Sequence, residues 1–279
     1  MTIKVSDHVR SAFPELRYEP TEKRVRAWLG DTLVADSRRA VLVWEPLRIL
    51  PLYAVPRDDI RCETAPSVAS PVPPELSDAA FVHPGIPFAV HTAEGSALEL
   101  ADAAGTRTAE AFQLTDPVLD GYVVLDYVTI DRWMEEDEVV EGHPRDPFHR
   151  VDVRASRGIV QVESHGELLA SSNRPLLVFE TNLPARFYLP REDVTVPLRA
   201  TARRTICPYK GEATYFDAEI GGQWRSDVFW SYPRPLPDAV QLAGHLGFFD
   251  DLVDVSVESH LRERPDSPFV KKMLEEFDA

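Results

Sequence analysis

Two segments of the sequence repeat one another, and this repeat constrains the fold more than any other feature. Residues 34 to 60, VADSRRAVLVWEPLRILPLYAVPRDDI, align with residues 169 to 194, LASSNRPLLVFETNLPARFYLPREDV. One residue must be skipped before the PRDD and PRED turns coincide. The matched pairs are Ala35 with Ala170, Ser37 with Ser172, Arg39 with Arg174, Leu42 with Leu177, Glu45 with Glu180 and Tyr53 with Tyr188. A chain that carries one unit twice is expected to fold into two similar domains.

The local pattern in both copies is that of β-strands. Short runs rich in branched and aromatic residues are separated by glycine or polar turns. These runs are VRAWL, TLVAD and AVLVW in the first copy, and IVQVES, ELLAS and LLVF in the second. Gly221 and Gly222 indicate a two-residue hairpin turn, because such turns need positive φ. We therefore predict a mainly β protein of two duplicated small antiparallel β domains, tent-like or barrel-like, with a few short helices and a pseudo-twofold relation.

Helical patterns are few. The segment from Pro237 to Leu252 carries apolar residues near the helical period behind a Pro-Asp start, and a weaker counterpart runs from Asp116 to Trp133. The tail from Asp266 to Phe277 predicts a short final helix capped by Asp266 or Ser267. Each copy is thus expected to hold at most a few short helices.

The boundary between the copies is expected near Gly142, where an acidic run is followed by a proline-bracketed turn. The first, degenerate copy then spans residues 1–142, and the second copy spans residues 143–279. Within the first copy, the Pro- and Ser-rich stretch from Thr64 to Asp78 predicts a long surface loop.

The composition is that of a folded, acidic protein. Hydrophobic residues make up 44% of the 279 residues, which is enough for a proper core. The 46 acidic and 30 basic residues give a formal net charge of -16, which repels phosphate backbones and anionic membranes. We therefore expect neither nucleic acid nor a membrane as a partner.

Cysteine usage and the first residues indicate a soluble protein of the cytoplasm. Cys62 and Cys207 are too few for a disulfide-stapled secreted scaffold or a four-cysteine zinc site. The opening MTIKVSDHVRSAF lacks a basic stretch followed by an apolar run, and nowhere do about 18 apolar residues follow one another. A cytoplasmic, reducing compartment is the expected location.

The stretch TICPYKGEATYF places a thiol beside an ammonium group. Its proline suits the second position of a β-turn, and Gly211 suits the left-handed conformation that follows. Because the first and fourth Cα atoms of such a turn lie within about 7 Å, Cys207 and Lys210 are expected to be neighbours. A cation so close favours the thiolate, which is a potential nucleophile. The structural alternative is that Cys207 is a small buried hydrophobic residue and Lys210 a solvated turn residue.

Together these motifs resemble those of a known family. ADSRRAVLVWE and SSNRPLLVFE, the PRDD and PRED turns, CPYKGEATY and FWSYPRP are similar to domain-of-unknown-function family 427, which also carries a nucleotidyltransferase-type label. The resemblance covers nearly the whole chain as a tandem pair, including the connector HPRDPFHRVDV. It implies mainly β domains of a small tent-like or barrel type. The chain has neither a glycine-serine phosphate turn nor an Asp-x-Asp pair in strand context, so nucleotidyl transfer is the least favoured function.

The first copy departs from this pattern at the cysteine turn. Where the second copy has CPYKGEATYF, the first has HPGIPFAVH, from His83 to His91, without cysteine or lysine. A site that needs Cys207 and Lys210 therefore occurs once. Relatives with a single copy would form homodimers of similar geometry, so this chain is expected to be a monomer with an internal pseudo-dimer or a homodimer.

Each copy also places an arginine six residues before a glutamate, Arg39 before Glu45 and Arg174 before Glu180. The two side chains share a strand face but lie about 20 Å apart, so each needs another partner. Each glutamate ends an apolar strand, where an unpaired carboxylate is costly. A lattice of Arg and Glu is the structural interpretation, which we favour for Glu45. A general base with a raised pKa is the functional one, which stays open for Glu180.

Other polar and aromatic residues near the cysteine turn have two interpretations each. Tyr215 shares a strand face with Asp217 and Glu219, so it is either a proton donor in a cleft or part of a solvent-facing sheet surface. Trp230 and Tyr232 in FWSYPRP either floor a pocket or belong to the core.

The connector between the copies is a further candidate. His143, Arg145 and His149 form either an anion clamp or metal half-site, or simply a rigid connector held by two prolines. No third metal ligand of convincing spacing follows, so no metal site is predicted.

Two functions of different classes follow for the second copy. The first is an enzyme that acts on a small polar metabolite, with Cys207 as the nucleophile and Lys210 stabilising its thiolate or a substrate anion. Tyr215 and Glu180 then transfer protons. The bases that folding could bring near the thiol are His143, His149 and His245.

The alternative is a non-catalytic module that binds a small molecule or an anion. Lys210 and Arg174 would supply positive charge, and Trp230 with Tyr232 would supply an apolar surface. A purely structural interaction protein comes third. The sequence identifies a small-molecule ligand as the expected partner, but neither the reaction nor a cofactor.

Overall fold

The computed structural model describes residues 2–71, 81–82 and 84–265. The chain divides into two compact units, Met1–Asp146 and Pro147–Ala279. Each unit contains two antiparallel sheets, one of seven strands and one of four.

The first unit begins with a short helix and continues with strands. Its elements are α1 Val5–Ser11, β1 Arg17–Pro20, β2 Val25–Leu29, β3 Thr32–Ser37, β4 Val41–Trp44, β5 Leu52–Pro56, β6 Glu63–Pro66, β7 Gly95–Ala101, β8 Thr108–Leu114, β9 Tyr122–Leu125, β10 Arg132–Glu135 and β11 Glu138–Val139. The seven-stranded sheet has the order β1-β4-β5-β9-β8-β7-β6, and the four-stranded sheet has the order β11-β10-β2-β3.

The second unit repeats this plan. Its strands are β12 Val151–Ala155, β13 Val160–Ser164, β14 Glu167–Ser172, β15 Leu176–Glu180, β16 Arg186–Pro190, β17 Leu198–Cys207, β18 Gly211–Ile220, β19 Gln223–Ser231, β20 His245–Phe248, β21 Asp254–Val257 and β22 His260–Leu261. The orders are β12-β15-β16-β20-β19-β18-β17 and β14-β13-β21-β22. Strand for strand, this is the order of the first unit, as expected if the two units arose by duplication.

The predicted mainly β, antiparallel architecture is confirmed, and neither unit closes into a barrel. The runs predicted as strands are strands, because alternating branched and aromatic residues bury one side chain in two. Gly221 and Gly222 turn the hairpin between β18 and β19 with φ of 60° and 74°. These positive angles are the ones that a two-residue turn requires.

Each unit has two apolar layers. An inner layer packs the seven-stranded sheet against the four-stranded one, and a second, outer layer covers the opposite face of the seven-stranded sheet. In β5, Tyr53 points to the inner layer and Ala54 to the outer layer. In β16, Phe187 points to the inner layer and Tyr188 to the outer layer. The outer layer is where the residues of the cysteine turn lie.

The two tyrosines that the sequence alignment matches are therefore not equivalent. Tyr53 pairs with Leu42, whereas the equivalent Leu177 pairs with Phe187 and not with Tyr188. The skipped residue thus lies in the loop before β5 and β16, where a change of length is easily accommodated. Because neighbouring side chains point to opposite faces, the offset of one residue moves Tyr188 to the outer layer.

The internal helix predicted from Pro237 to Leu252 is confirmed only over its first six residues, and the one predicted from Asp116 to Trp133 is wrong. Pro237–Leu242 forms a 3-10 helix, but β20 follows it within the segment predicted to be helical. Gly244, at a φ of 76°, stops the helix, and Leu246 and Phe248 then alternate into the inner layer. The segment predicted from Asp116 to Trp133 likewise contains β9 and the start of β10. Pairing with neighbouring strands overrides the weak helical period in both places.

Two other expectations fall wholly or partly outside the described residues. The final helix predicted from Asp266 to Phe277 lies outside them, and so does much of the loop predicted from Thr64 to Asp78. The first part of that loop segment belongs to β6, and residues 67 to 71 are exposed.

Gly247 in β20 is predicted to be required by packing rather than by backbone conformation. A Cβ atom at this position would lie 2.8 Å from the Trp230 ring and 2.9 Å from the Tyr188 ring. Gly247→Ala should therefore reduce the free energy of unfolding by about 1–3 kcal/mol, as expected for overpacking. Urea denaturation followed by circular dichroism measures this change.

Gly158→Ala is the matched control, because its nearest neighbour to a new Cβ lies at an ordinary 3.4 Å. Its effect should stay within about 1 kcal/mol. Equal unfolding free energies for the two variants would contradict the packing role of Gly247.

Candidate functional site

The CPYKG turn joins β17 to β18 and directs Lys210 into the outer layer of the second unit. Cys207 and Gly211 face each other as the last strand pair of the hairpin. Gly211 has a φ of 98°, and a Cβ atom there would lie 3.1 Å from the carbonyl oxygen of Arg234. The turn is therefore held closely against the following segment, whose Leu236 amide donates to the carbonyl oxygen of Lys210 at 3.1 Å.

Lys210 forms a buried ion pair with Glu180. Its Nζ donates to Glu180 Oε1, and each side chain is only 9% exposed. The other carboxylate oxygen, Oε2, lies 3.8 Å from Nε2 of His149. The His149 ring in turn stacks on Tyr209 at a centroid distance of 4.4 Å. The carboxylate that ends β15 thus has partners on both oxygens.

Aromatic side chains enclose this ion pair. Lys210 Nζ lies 5.7 Å from the centroid of the Tyr232 ring, at a distance suited to a cation–π contact. Trp230 Nε1 donates to the hydroxyl of Tyr188 at 3.0 Å. Cys207 is partly buried and packs against the same layer. The fold therefore brings together most of the residues that the sequence singled out.

Charge balance in this cluster fixes the ionisation of its members. Burial raises the pKa of Glu180, but Lys210 and His149 lower it further, to about 2. Burial lowers the pKa of Lys210, but Tyr232, Glu180 and their neighbours raise it well above the ordinary value. Both groups are charged at neutral pH. The interpretation of Glu180 as a general base with a raised pKa is therefore wrong.

Tyr215 lies in the same layer but has its own partners. Its hydroxyl is 2.9 Å from Oγ1 of Thr205, and the guanidinium of Arg203 lies 5.0 Å from the centroid of its ring. Its strand neighbour Asp217 accepts hydrogen bonds from Arg199, the shorter at 2.6 Å. Tyr215 is thus part of the packed layer and does not face an open cleft.

The remaining predicted ligand residues lie elsewhere. Arg174 is exposed and pairs with Glu192 at 2.7 Å and Asp193 at 3.4 Å, so the expectation that it joins Lys210 is wrong. His143 and Arg145 belong to the first unit, where Nδ1 of His143 lies 2.7 Å from the carbonyl oxygen of Pro144. His245 is tied to the carbonyl oxygen of Ala243 at 3.0 Å.

The first unit buries a carboxylate at the same position. Glu45 follows β4 and is completely buried, and its Oε2 accepts hydrogen bonds from the amides of Thr92 at 2.7 Å and Ala93 at 3.1 Å. Nδ1 of His91 lies 2.9 Å from Oε1, and Nε of Arg48 lies 3.7 Å from the same oxygen. Burial raises the pKa of Glu45, but His91 and Arg48 lower it on balance.

His91 thus occupies the role of Lys210, because both precede the first strand after the turn, β7 and β18. The sequence contains this signal, since HPGIPFAVH ends in His91. No motif in the sequence indicates a role for Arg48, because the loop between β4 and β5 is not repeated at that position. Arg48 is the residue that sequence reasoning missed.

A cavity of about 350 Å³ adjoins Arg48 in the first unit. Its apolar walls and polar groups come from β5 and the loop before it, from residues 82 and 84 to 88, from β8 and from the segment after β9. The lining residues include Leu50, Leu52, Val82, Ile86, Pro87, Phe88, Arg48, Glu110, Asp126 and Tyr127. In the second unit, a cavity of about 430 Å³ is lined by Ser164, His165, Gly166, Asp251, Leu252, Asp254 and Arg264. Neither cavity is lined by Cys207, Lys210 or Glu180.

The described residues contain no cluster of three or more His, Cys, Asp or Glu side chains suited to a metal ion. None of the helices among the described residues has the length and apolar character needed to span a bilayer.

The buried ion pair is predicted to be destabilising when only one partner is removed. Lys210→Met leaves the Glu180 carboxylate buried without its ammonium partner, which should cost about 3–5 kcal/mol of unfolding free energy. The double variant Lys210→Met/Glu180→Leu should recover most of this loss, because apolar replacements also remove the buried charge. Urea denaturation measures all three proteins.

Arg174→Met serves as the control, since its ion pair with Glu192 is exposed and should contribute less than about 1 kcal/mol. A single Lys210→Met variant as stable as this control would contradict the importance of the buried pair.

Glu180 is also predicted to make stability depend on pH. Its pKa is about 2 in the folded protein against an ordinary 4.5, so folding favours the ionised form. This contribution is fully present above about pH 4.5 and is lost as the pH falls toward 2. At neutral pH the shift corresponds to roughly 3 kcal/mol. Urea midpoints measured from neutral to acidic pH should fall less steeply for Glu180→Gln than for the wild type, and parallel profiles would contradict the assignment.

A part of the second unit matches a known family. Residues 152–259 match the model of a family described as Domain of unknown function (DUF427), and the matched segment lies within the second unit. No curated protein matches the chain. The match includes the CPYKG turn and Glu180. The second unit of the chain is therefore similar to the DUF427 family of domains of unknown function.

Proposed function

We propose that this chain is a small-molecule-binding protein whose binding cavity lies in the first unit. The observation that supports this proposal is the cavity of about 350 Å³ on the outer face of the seven-stranded sheet. Its walls are mainly apolar, and a few polar groups converge on it, which is the usual composition of a ligand-binding pocket. Its volume is sufficient for a ligand of amino-acid size.

Comparison of the two units explains why the cavity occurs in the first. Leu52 and Asp126 line the cavity. By strand register, Leu52 is equivalent to Arg186 of the second unit, and Asp126 is equivalent to Phe249. There the guanidinium of Arg186 packs 5.6 Å from the centroid of the Phe249 ring. Smaller side chains in the first unit leave open the space that these two residues fill in the second.

The cluster around Lys210 supports binding less well. Its ammonium group is committed to Glu180, and Tyr232 and Trp230 are almost completely buried against it. A ligand would have to displace an ion pair in a packed apolar layer, which is costly because one charge would remain buried without a partner. We therefore assign this cluster a structural role.

Catalysis at Cys207 is a second candidate, favoured by the electrostatic contact of its sulfur with Lys210. Cys207 is a partly exposed residue, and a nucleophile requires access to solvent. Mass spectrometry after brief iodoacetamide treatment of the folded chain at neutral and alkaline pH tests this candidate. A reactive thiolate predicts labelling of Cys207 at neutral pH well before Cys62, and slower or equal labelling of Cys207 would contradict it.

Binding in the first-unit cavity is predicted to be lost when the cavity is filled. Leu50→Trp adds a large side chain to the cavity wall, so small aliphatic and aromatic fragments that bind the wild type should bind this variant at least about tenfold more weakly. Ligand-observed NMR on the full chain measures binding.

Val139→Trp is the matched control, because Val139 is exposed on β11 and does not line the cavity. Fragments should bind this variant as they bind the wild type. The proposal is overturned if no fragment binds the wild type, or if Leu50→Trp leaves the affinities unchanged.

A further inference from the structure

The first-unit cavity carries opposite charges on different parts of its lining. Arg48 supplies the positive group, and Glu110 and Asp126 supply carboxylates. Burial raises the pKa of Tyr127, Asp126 raises it further and Arg48 lowers it, so Tyr127 lies within the electrostatic reach of both charged groups. The cavity lining therefore offers a partner for a ligand group of either charge.

Arg48 is held rigidly, yet part of its hydrogen-bonding capacity is unused. Its Nη2 donates to the carbonyl oxygen of Val90 and, at 3.5 Å, to that of Pro87. The side chain is about nine-tenths buried, and its Nε has no hydrogen-bond acceptor among the described residues. The nearest carboxylate oxygen, Oε1 of Glu45, lies 3.7 Å from this Nε, beyond hydrogen-bond distance. A buried guanidinium whose Nε lacks an acceptor suits an anionic ligand group.

The two carboxylates of the cavity lining differ in what they already bind. Asp126 accepts hydrogen bonds from the amides of Val128 at 3.0 Å and Thr129 at 3.1 Å, so its oxygens cap the loop after β9. That loop is tied to Glu110, because the Glu110 amide donates to Oγ1 of Thr129 at 3.0 Å. Burial and the nearby Asp126 raise the pKa of Glu110. Because both oxygens of Asp126 already accept hydrogen bonds in this cap, Glu110, which is exposed on β8 and lines the cavity, is the carboxylate that remains for a ligand cation.

The geometry points to an amphoteric ligand: a small apolar molecule whose acid group binds Arg48 and whose amine binds Glu110. This inference rests on the proposed function and adds the chemical class of the ligand. The aliphatic walls, among them Leu50, Leu52 and Ile86, would hold the apolar part. A free apolar amino acid has this combination of groups.

Three probes of similar shape test the inference on the full chain by isothermal titration calorimetry. Leucine carries both charged groups, isocaproate lacks the amine, and isoamylamine lacks the acid. Leucine should bind about tenfold or more tightly than either analogue, because each analogue leaves one charged group of the cavity without its ligand partner. In Glu110→Gln, leucine should lose its advantage over isocaproate.

Glu63→Gln is the matched control, since Glu63 is an exposed glutamate of β6 that does not line the cavity. Leucine should keep its advantage in this variant. Two outcomes would overturn the amphoteric class and leave the proposed function standing. In the first, either analogue binds the wild type as tightly as leucine does. In the second, leucine fails to bind, while apolar fragments still bind the wild type and are excluded by Leu50→Trp. If neither the fragments nor the three probes bind, both are overturned.

Discussion

The outer layer of each unit depends on one interaction, the pairing of a buried carboxylate with a basic side chain. The carboxylate lies at the end of the strand that is second in the spatial order of the seven-stranded sheet. Glu45 and Glu180 stand at equivalent positions, and both are almost inaccessible to water. A carboxylate in such a place is tolerated only when its charge is compensated. In both units the compensating group comes from the segment just before the next long hairpin, His91 in one and Lys210 in the other. The carboxylate therefore fixes where that segment crosses the sheet.

Once this crossing is fixed, a difference of one residue in the preceding loop decides what fills the outer layer. The second unit places Tyr188 there, against Gly247, and Trp230 packs on the same glycine. The first unit places Ala54 at the equivalent position, because its loop is longer by one residue. Side chains alternate along a strand, so this small offset exchanges a tyrosine for an alanine. At this position the outer layer of the second unit is consequently filled by a large aromatic ring, whereas that of the first unit holds only a methyl group.

The parts of this fold that the sequence predicted are those determined within a few residues. The Gly221-Gly222 hairpin and the strands of both copies follow from turn chemistry and alternation. The convergence of Cys207 and Lys210 followed from the length of a β-turn. β20 was not predicted, because its strand character comes from pairing with β16 and β19 and not from its own pattern.

The ion pair at the candidate site could not be predicted for a related reason, because its two residues are distant in sequence. The partner of Lys210 is a glutamate 30 residues away in sequence, on a strand that is not a sequence neighbour of its own. The spacing of Arg174 and Glu180 suggested an Arg-Glu lattice, but Arg174 points to the PRED turn instead. The cavity is even harder to predict, since it arises from the small size of side chains on several strands. An unfilled space of this kind corresponds to no motif in the sequence.

The two buried carboxylates also bind different groups, and this difference favours ligand binding in the first unit over the second. Glu180 neutralises Lys210, so the ammonium group has no capacity left for a ligand. Glu45 shares its charge between His91 and Arg48, and Arg48 reaches from it to the cavity wall. Because Nη2 of Arg48 is bound to backbone carbonyl groups, the guanidinium is positioned before any ligand arrives. Such preorganisation reduces the entropy lost on binding. In the first unit, the carboxylate that anchors the fold therefore also contacts the cationic group of the proposed binding cavity.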